Sequence, residues 1–478
     1  MINAMTAEWG EITAEEIVKP LKGELISGRP GAILNGISTD SRKIEPGRLF
    51  LALRGERYDG HDFVGKAVDG GASAIVIEKG RKTGISANSE TAIIEVQDTL
   101  KALGDLASWW RHKHNVFVAA ITGSSGKTTA KEMTANILGL GARTLKNEGN
   151  LNNLIGLPLT LLRLGRKDRR AVLEMGMNRS GEIGRLTEIA DPDIGLITNV
   201  ARVHLEGVGD IMGVARAKAE LLEKISDKGR VILYGDDDLL MKEASRFKRE
   251  IITYGLGAGN DIRADKIKNL GWEGTLFDLQ YHGDSVAVRL KVPGRQNLFN
   301  ALAAAAIAVC MEETFEHIVA GLGSFEGIRG RFMPFSLPDD VILVDDTYNS
   351  NPSSLRAALD SIKEMAGGGR RLIVGLGEMM ELGEETVPAH LEAGGMVAEL
   401  GASYLFAMGD HAGEMLKGAL EKGLPPERAV EAESHQDMAQ KIGEAVEKGD
   451  LILLKGSRKM GLEKVIQGLK ERGLGDAE

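Results

Sequence analysis

Short uninterrupted apolar runs recur along the chain, and stretches with helical spacing of apolar residues lie between them. A run that is apolar at successive positions leaves no face for water. That is the pattern of a strand buried in a parallel sheet with helices on both sides. The runs fall into three blocks. In residues 1–115, Leu49-Phe50-Leu51-Ala52-Leu53 and Ala74-Ile75-Val76-Ile77 are separated by Gly/Asp-rich turns and followed by a predicted helix over 99–110. This reads as a small α/β domain. In residues 116–333, runs at 116–121, 170–173, 194–197 and 230–233 alternate with helical segments and predict a mostly parallel sheet. Within this block, 276–292 alternates apolar and polar residues around His282-Gly283-Asp284, which predicts an antiparallel hairpin inserted into the parallel sheet or packed beside it. A helix over 297–309 closes the block. In residues 334–478, strands at 341–344, 371–374, 404–407 and 451–454 with helices between them predict another open α/β sheet.

Composition agrees with this division. A chain of 478 residues exceeds what one core holds and fits about three domains. The net charge of −10 argues against a nucleic-acid or anionic-membrane binder, which would need a basic face. A local basic pocket for an anionic small substrate is still compatible with it. The single cysteine, Cys310, follows an Ala-rich run, so an intrachain disulfide is impossible and a buried helical thiol is expected. No stretch reaches the ~18 apolar residues of a membrane span. Residues 1–10 lack the basic-then-apolar order of a signal peptide. The expectation is therefore a cytoplasmic protein without membrane insertion.

The candidate chemistry begins between strand 116–121 and a helix predicted over 128–138. There the chain reads Thr122-Gly123-Ser124-Ser125-Gly126-Lys127-Thr128-Thr129. Glycines and small residues between a buried strand and a helix let backbone N–H groups converge on phosphate oxygens. Lys127, expected on a solvent-facing loop, adds charge for the β- and γ-phosphates, and the Thr128 hydroxyl is a candidate Mg²⁺ ligand. The two glycines are closer together than in the common Walker pattern. Magnesium needs further oxygen ligands. Glu174 follows strand 170–173 at its carboxyl end, where ligands of such sheets bind. His204 follows strand 194–197 less closely. Read alone, Glu174 is a surface carboxylate, His204 a loop histidine, and Lys218 a solvated helix lysine beside Glu220. Gly375-Leu376-Gly377 follows a strand, but Met380 stands where a dinucleotide fingerprint needs its third glycine.

The order of these motifs resembles the Mur ligases, which extend the peptide of the cell-wall precursor, and the resemblance runs over nearly the whole chain. It implies a central P-loop domain over 116–333, a small N-terminal UDP-binding α/β domain over 1–115 and a Rossmann-like C-terminal α/β domain over 334–478. It implies ATP and Mg²⁺ as cofactors, with Glu174, His204 and Lys218 in the family's metal-site order and Lys218 carbamylated. Thr128 and Glu174 would hold the metal on ATP, and His204 and Lys218 a second one. The stretch 294–304 looks like the family's adenine-side helix, with Asn300 on the base. Arg331 and Asp346 look like its phosphate and ribose contacts. Gln296 stands where the family commonly has His.

Three stretches resemble the member that adds a D-alanyl-D-alanine dipeptide to UDP-N-acetylmuramoyl-tripeptide. They are 345–352, with Tyr348, Asn349 and Asn351; the substrate loop 147–158, with Asn150, Asn152 and Asn153; and Met380-Glu381-Leu382-Gly383 followed by His390. Ser41 and Arg42 resemble residues of the UDP-binding domain. The Asp-Asn-Pro-Arg of the preceding pathway enzyme is absent. A monomer is expected. Folylpolyglutamate synthase shares the ATP chemistry with a pterin substrate. A regulatory GTPase would need a guanine-reading Asn-Lys-x-Asp, which the sequence lacks.

Overall fold

The computed structural model describes residues 9–81, 90–365 and 369–472. The first of its three sheets comprises β1 (Glu24–Ser27), β2 (Ile37–Ser38), β3 (Leu49–Leu51), β4 (Ala74–Glu78) and β5 (Ala92–Val96), in the order β1-β5-β4-β3-β2. All pairs are parallel except β1 with β5. The helix Thr99–His112 leads out of this sheet towards the next. It starts with Asp98 accepting from Lys101 N–H, an N-cap that satisfies an otherwise orphaned donor. Trp110 on this helix stacks on Trp9 at 5.2 Å, and the two indole N–H groups donate to Leu164 O and Leu162 O. Asp105 joins Lys22, Lys101 and Arg185, which lies on the helix Glu182–Ala190. The first sheet is thereby fastened to the second.

The second sheet has nine strands: β6 (Phe117–Thr122), β7 (Thr144–Lys146), β8 (Arg170–Glu174), β9 (Ile194–Ile197), β10 (Arg230–Tyr234), β11 (Ile251–Gly255), β12 (Ile262–Asn269), β13 (Thr275–Tyr281) and β14 (Asp284–Leu290). Their order is β14-β13-β12-β11-β10-β9-β6-β8-β7. β6 shows why its run is apolar throughout. Val118 and Ala120 face one core, while Ala119 and Ile121 face the other. On the second face the helices Lys127–Gly141 and Arg295–Cys310 pack together. The alanines at 303–306 are fully buried, and their small side chains let the helix approach closely. Cys310 is a buried free thiol at the end of this helix. The predicted hairpin, β13–β14, is not inserted among the parallel strands but lies beside them. It extends the parallel sheet edgewise through β12, which the sequence reading passed over.

The third sheet comprises β15 (Met333–Leu337), β16 (Val341–Asp346), β17 (Leu372–Gly377), β18 (Tyr404–Met408), β19 (Ala429–Glu431) and β20 (Leu451–Lys455), in the order β15-β16-β20-β17-β18-β19. It is parallel except for β15. The fold is thus α/β with three sheets, and the carboxyl ends of β6, β8, β9, β16 and β20 lead into one cleft. Among the described residues no helix is long and apolar enough to cross a membrane.

Candidate active site

β6 ends at Thr122, and the chain turns into the helix Lys127–Gly141. Two glycines permit the turn. Gly123 has φ +144°, and a Cβ there would lie 1.8 Å from Thr198 Oγ1. Gly126 has φ +81°, and a Cβ there would lie 2.3 Å from Asn300 Oδ1. Only glycine takes such backbone without steric cost. The residues after β9 grip the loop. Ser124 N–H donates to Asn199 O and Ser125 N–H to Asn199 Oδ1, both at 3.0 Å. Thr198 Oγ1 donates to Ser125 O at 2.6 Å, and Ala201 N–H donates to Ser124 Oγ at 2.8 Å. The loop's form is therefore fixed before any ligand arrives.

Above it lies a cavity of about 740 Å³. Its lining brings together Ser124, Ser125, Gly126, Lys127, Thr128, Thr129, Glu174, His204, Asn300, Arg331 and Asp346 with Asn150, Asn152, Asn153, Tyr348, Asn349 and Asn351. Gly123 and Lys218 lie outside the lining. Ser41 and Arg42 are elsewhere, in a short turn of the first block. There the Arg42 guanidinium binds both oxygens of Asp40 at 2.9 Å and holds that carboxyl below its usual range.

Lys127 differs from expectation. It is half-buried rather than solvent-facing, with Nζ donating back to Gly123 O at 2.7 Å. Burial pushes its pKa down, Glu174 opposes this, and the Arg331 charge adds to it. Lys218 differs more. The pattern made it a solvated lysine, yet it is 1% exposed and makes no hydrogen bond or ion pair among the described residues. Its helix, Ile211–Lys224, buries Val214, Ala215, Ala217, Ala219, Leu221 and Leu222, so most of its circumference is covered. Burial, and then the charge of Lys127, push the Lys218 amine well below its ordinary pKa.

Glu174 closes β8 and is also buried, not a surface carboxylate. Asn147 clamps its backbone at 2.9 and 3.0 Å, and Asn152 Nδ2 donates to Oε1 at 2.8 Å. Its Oε2 is buried with no hydrogen bond among the described residues, and Lys131 Nζ stands 4.0 Å away. An orphaned buried carboxylate oxygen is costly unless something binds it. Thr128 Oγ1 lines the same cavity and accepts from Arg331 Nη2 at 3.2 Å. A carboxylate and a hydroxyl oxygen beside a phosphate loop suit Mg²⁺, which takes oxygen ligands and keeps several waters. Among the described residues no three His, Cys, Asp or Glu side chains form a ready cage.

The third block closes the cavity. Arg331, at the end of the second block, lies 4.0 Å over the Tyr348 ring of the third, a cation–π contact, and its Nε is buried and unpaired among the described residues. Asp346 accepts from Phe332 N–H at 3.1 Å and from Lys455 Nζ at 2.6 Å. Burial pushes the Asp346 carboxyl up, against the pull of Lys455. Lys455 also donates to Asn349 O at 3.0 Å. Asn351 and Asn153 spend their side-chain oxygens as caps on Ser354 N–H and Gly156 N–H. His204 turns its Nδ1 to Glu381 of the third block. Gln296 accepts from Ser361 at 2.6 Å, another bridge between the second and third blocks.

Three family models match the chain: Mur ligase family, catalytic domain, at 34–111; Mur ligase middle domain at 121–308; and Mur ligase, glutamate ligase domain, at 330–458. The UDP-N-acetylmuramoyl-tripeptide--D-alanyl-D-alanine ligase of Escherichia coli K12 is 37% identical over 466 residues, covering 97% of this chain and 99% of that protein. The chain belongs to the Mur ligase family. A crystal structure of MurF from Acinetobacter baumannii superimposes on this Mur ligase with TM-score 0.87 at 34% identity, covering 96% of this chain and 98% of that one. MurF ligase from Thermotoga maritima in complex with ADP gives TM-score 0.81 at 27% identity, covering 91% and 97%.

Several residues in or beneath this Mur ligase's cleft carried no signal that sequence reasoning used. Thr198 and Asn199 lie between β9 and His204, and nothing in the residue pattern marks them. Lys131, 0% exposed, donates to Asn147 O at 2.7 Å and looks like any helix lysine in the sequence. Lys455 ends the last strand, and its position there was the available clue.

Proposed function

We propose that this Mur ligase joins D-alanyl-D-alanine to UDP-N-acetylmuramoyl-tripeptide at the expense of ATP, in peptidoglycan precursor synthesis. The observation that carries the reading is the near full-length similarity to the E. coli enzyme of that name, together with one cleft that unites the phosphate loop, the 150–153 loop and the 348–351 turn. On this reading 1–115 binds the UDP end, 116–333 binds ATP, and 334–478 brings the dipeptide. The substrates are soluble nucleotides and a peptide, which suits a monomer working in the cytoplasm.

Amide formation at neutral pH needs an activated carboxylate. The tripeptide carboxylate oxygen attacks the γ-phosphorus of ATP, the bond to the bridging oxygen breaks, and ADP leaves an acyl phosphate. The dipeptide nitrogen then attacks the acyl carbon, loses a proton, and expels phosphate. The loop N–H groups, Lys127 and Arg331 bind and orient the phosphates, so the work is positioning and charge neutralisation. Asn300 would contact the base and Asp346 the ribose. Thr128 and Glu174 would hold Mg²⁺, with His204 and Lys218 serving a second site; the ion's contribution is to neutralise charge on the transferring phosphoryl group. Asn150, Asn152, Tyr348 and Asn349 would line the substrates' path, and Ser41 and Arg42 would serve the UDP end.

Lys218 as an ammonium cannot ligate a cation. Its burial favours the neutral amine. A neutral amine can add to CO₂: the N–C bond forms, one C–O π pair moves onto oxygen, and a proton leaves nitrogen. The carbamate then offers carboxylate-like oxygens. Growth in ¹³C-bicarbonate should give a carbamate carbon signal that Lys218→Ala lacks, with the variant's activity partly restored by a short-chain carboxylate. A fully active Lys218→Ala would refute the assignment.

A further inference from the structure

The stretch Met380-Glu381-Leu382-Gly383 with His390 stands out in the sequence, yet the chemistry above leaves it without a task. The structure shows a platform. His390 is fully buried, its Nδ1–H donates to Thr386 O at 2.6 Å, and its Nε2 accepts from Met379 N–H at 3.0 Å. Ser457, also buried, accepts from Met380 N–H at 3.0 Å and donates its own N–H to Glu378 O at 3.0 Å. The loop after β17 is thus pinned from behind on two sides. At its tip Glu381 has φ +64°, a left-handed backbone that glycine adopts freely and a glutamate does not. Opposite stands His204, also left-handed at φ +54°. Strained residues persist where the surroundings over-determine them, and they gather at working sites. Glu381 Oε2 meets His204 Nδ1 across the boundary between the second and third sheets. Glu206 N–H reaches Glu381 O at 3.4 Å and Arg202 approaches Glu385 at 3.7 Å along the same seam.

A carboxylate can only accept, so His204 presents its Nδ1–H to Glu381, which leaves Nε2 as the nitrogen that can face a metal ion. A histidine prepared in this way, its other nitrogen held by a carboxylate, is the usual form of a metal-ligating imidazole. We propose that Glu381 is a positioning residue for the ligase reaction: delivered by the third domain, it fixes the ring of His204, so the metal site of the middle domain is complete only when the third domain is seated. This rests on the reading of His204 as a ligand of the second metal. It gives a reason for a glutamate where glycine would relax the backbone, and it makes His390 and Ser457 the supports of that glutamate.

The test uses the full-length enzyme with Glu381→Gly, Glu381→Ala and Glu381→Gln. Mn²⁺ binding to the ADP-loaded protein is followed by electron paramagnetic resonance, alongside thermal melting. Glu381→Gly and Glu381→Ala should weaken the second Mn²⁺ about 10- to 100-fold and leave nucleotide affinity unchanged. Glu381→Gln, which keeps an acceptor oxygen, should retain most of the binding. Because glycine relieves the left-handed strain, Glu381→Gly should melt no lower than wild type while binding metal worse, an outcome that a purely structural glutamate would not give. Unchanged Mn²⁺ binding in Glu381→Gly, with the wild type binding two ions, overturns the proposal. A wild type that binds a single Mn²⁺, or a His204→Ala variant that still binds two, instead overturns the ligand reading of His204 on which the proposal rests.

Discussion

Replacing Lys218 with methionine should stabilise the resting enzyme while abolishing ligation. The side chain is 1% exposed and has no partner among the described residues, so folding removes most of its solvation without a partner in return. Methionine has similar length and no charge. Replacing buried ion pairs by apolar side chains yields about 1–4 kcal/mol, and removing an unpartnered amine that folding drives towards its neutral form is expected to give a gain of about 2 kcal/mol. For a domain of this size each kcal/mol moves Tm by about 2–4 °C, so the middle-domain transition should rise by about 4–8 °C. The pH dependence supplies a signature. The folded-state pKa of Lys218 is depressed below 10.5. Between the depressed value and 10.5 the unfolded chain binds the extra proton, so wild-type stability rises with pH. The advantage of Lys218→Met is therefore largest at low pH and fades towards pH 10.5, by up to about 1.4 kcal/mol per pH unit within the window. The assay is calorimetry in CO₂-free buffer with chelator, where carbamate and metal are absent. A variant that melts at or below wild type, with a gap insensitive to pH, would refute the reasoning.

Other perturbations follow from the same geometry. Gly126→Ala forces a Cβ to within 2.3 Å of Asn300 Oδ1 at φ +81° and should weaken ATP binding at least tenfold, about 1.4 kcal/mol, as read by calorimetric titration. Lys127→Met should lower kcat by far more than tenfold with the fold intact by circular dichroism, because the charge acts chiefly in the transition state. Lys455→Met strands the buried carboxylate of Asp346 and should cost about 3–5 kcal/mol in denaturant unfolding of the C-terminal domain. Asp105 is held at about 2 against 3.8. Its contribution is therefore present above pH 3.8 and lost as pH falls towards 2. Asp105→Asn should cost about 1 kcal/mol at pH 7 after allowance for solvent screening, and only a small part of that at pH 2.

The strands were legible because a parallel sheet covered on both faces needs consecutive apolar residues, as the stretches 171–173 of β8, 194–197 of β9 and 451–454 of β20 show. β12 escaped because its outer half, through Lys266 and Lys268, is exposed, and its strand state depends on pairing with β13. The phosphate loop was legible because its glycines and lysine are neighbours in sequence. Lys131 and Lys218 were not, since an isolated helix pattern does not reveal what covers the helix from outside. His204 and Glu381 lie 177 residues apart, and no local pattern joins them.

The most direct test of the account is phosphate release at fixed ATP, Mg²⁺ and UDP-N-acetylmuramoyl-tripeptide, with D-alanyl-D-alanine, D-alanine, meso-diaminopimelate, L-lysine or L-glutamate supplied in turn. D-alanyl-D-alanine should drive stoichiometric phosphate release and yield the UDP-pentapeptide. D-alanine, whose carboxylate falls about 3.5 Å short, should trail by orders of magnitude in kcat/KM. Turnover of diaminopimelate or lysine on a UDP-dipeptide, or of glutamate on a folate acceptor, with no product from D-alanyl-D-alanine, would contradict the account.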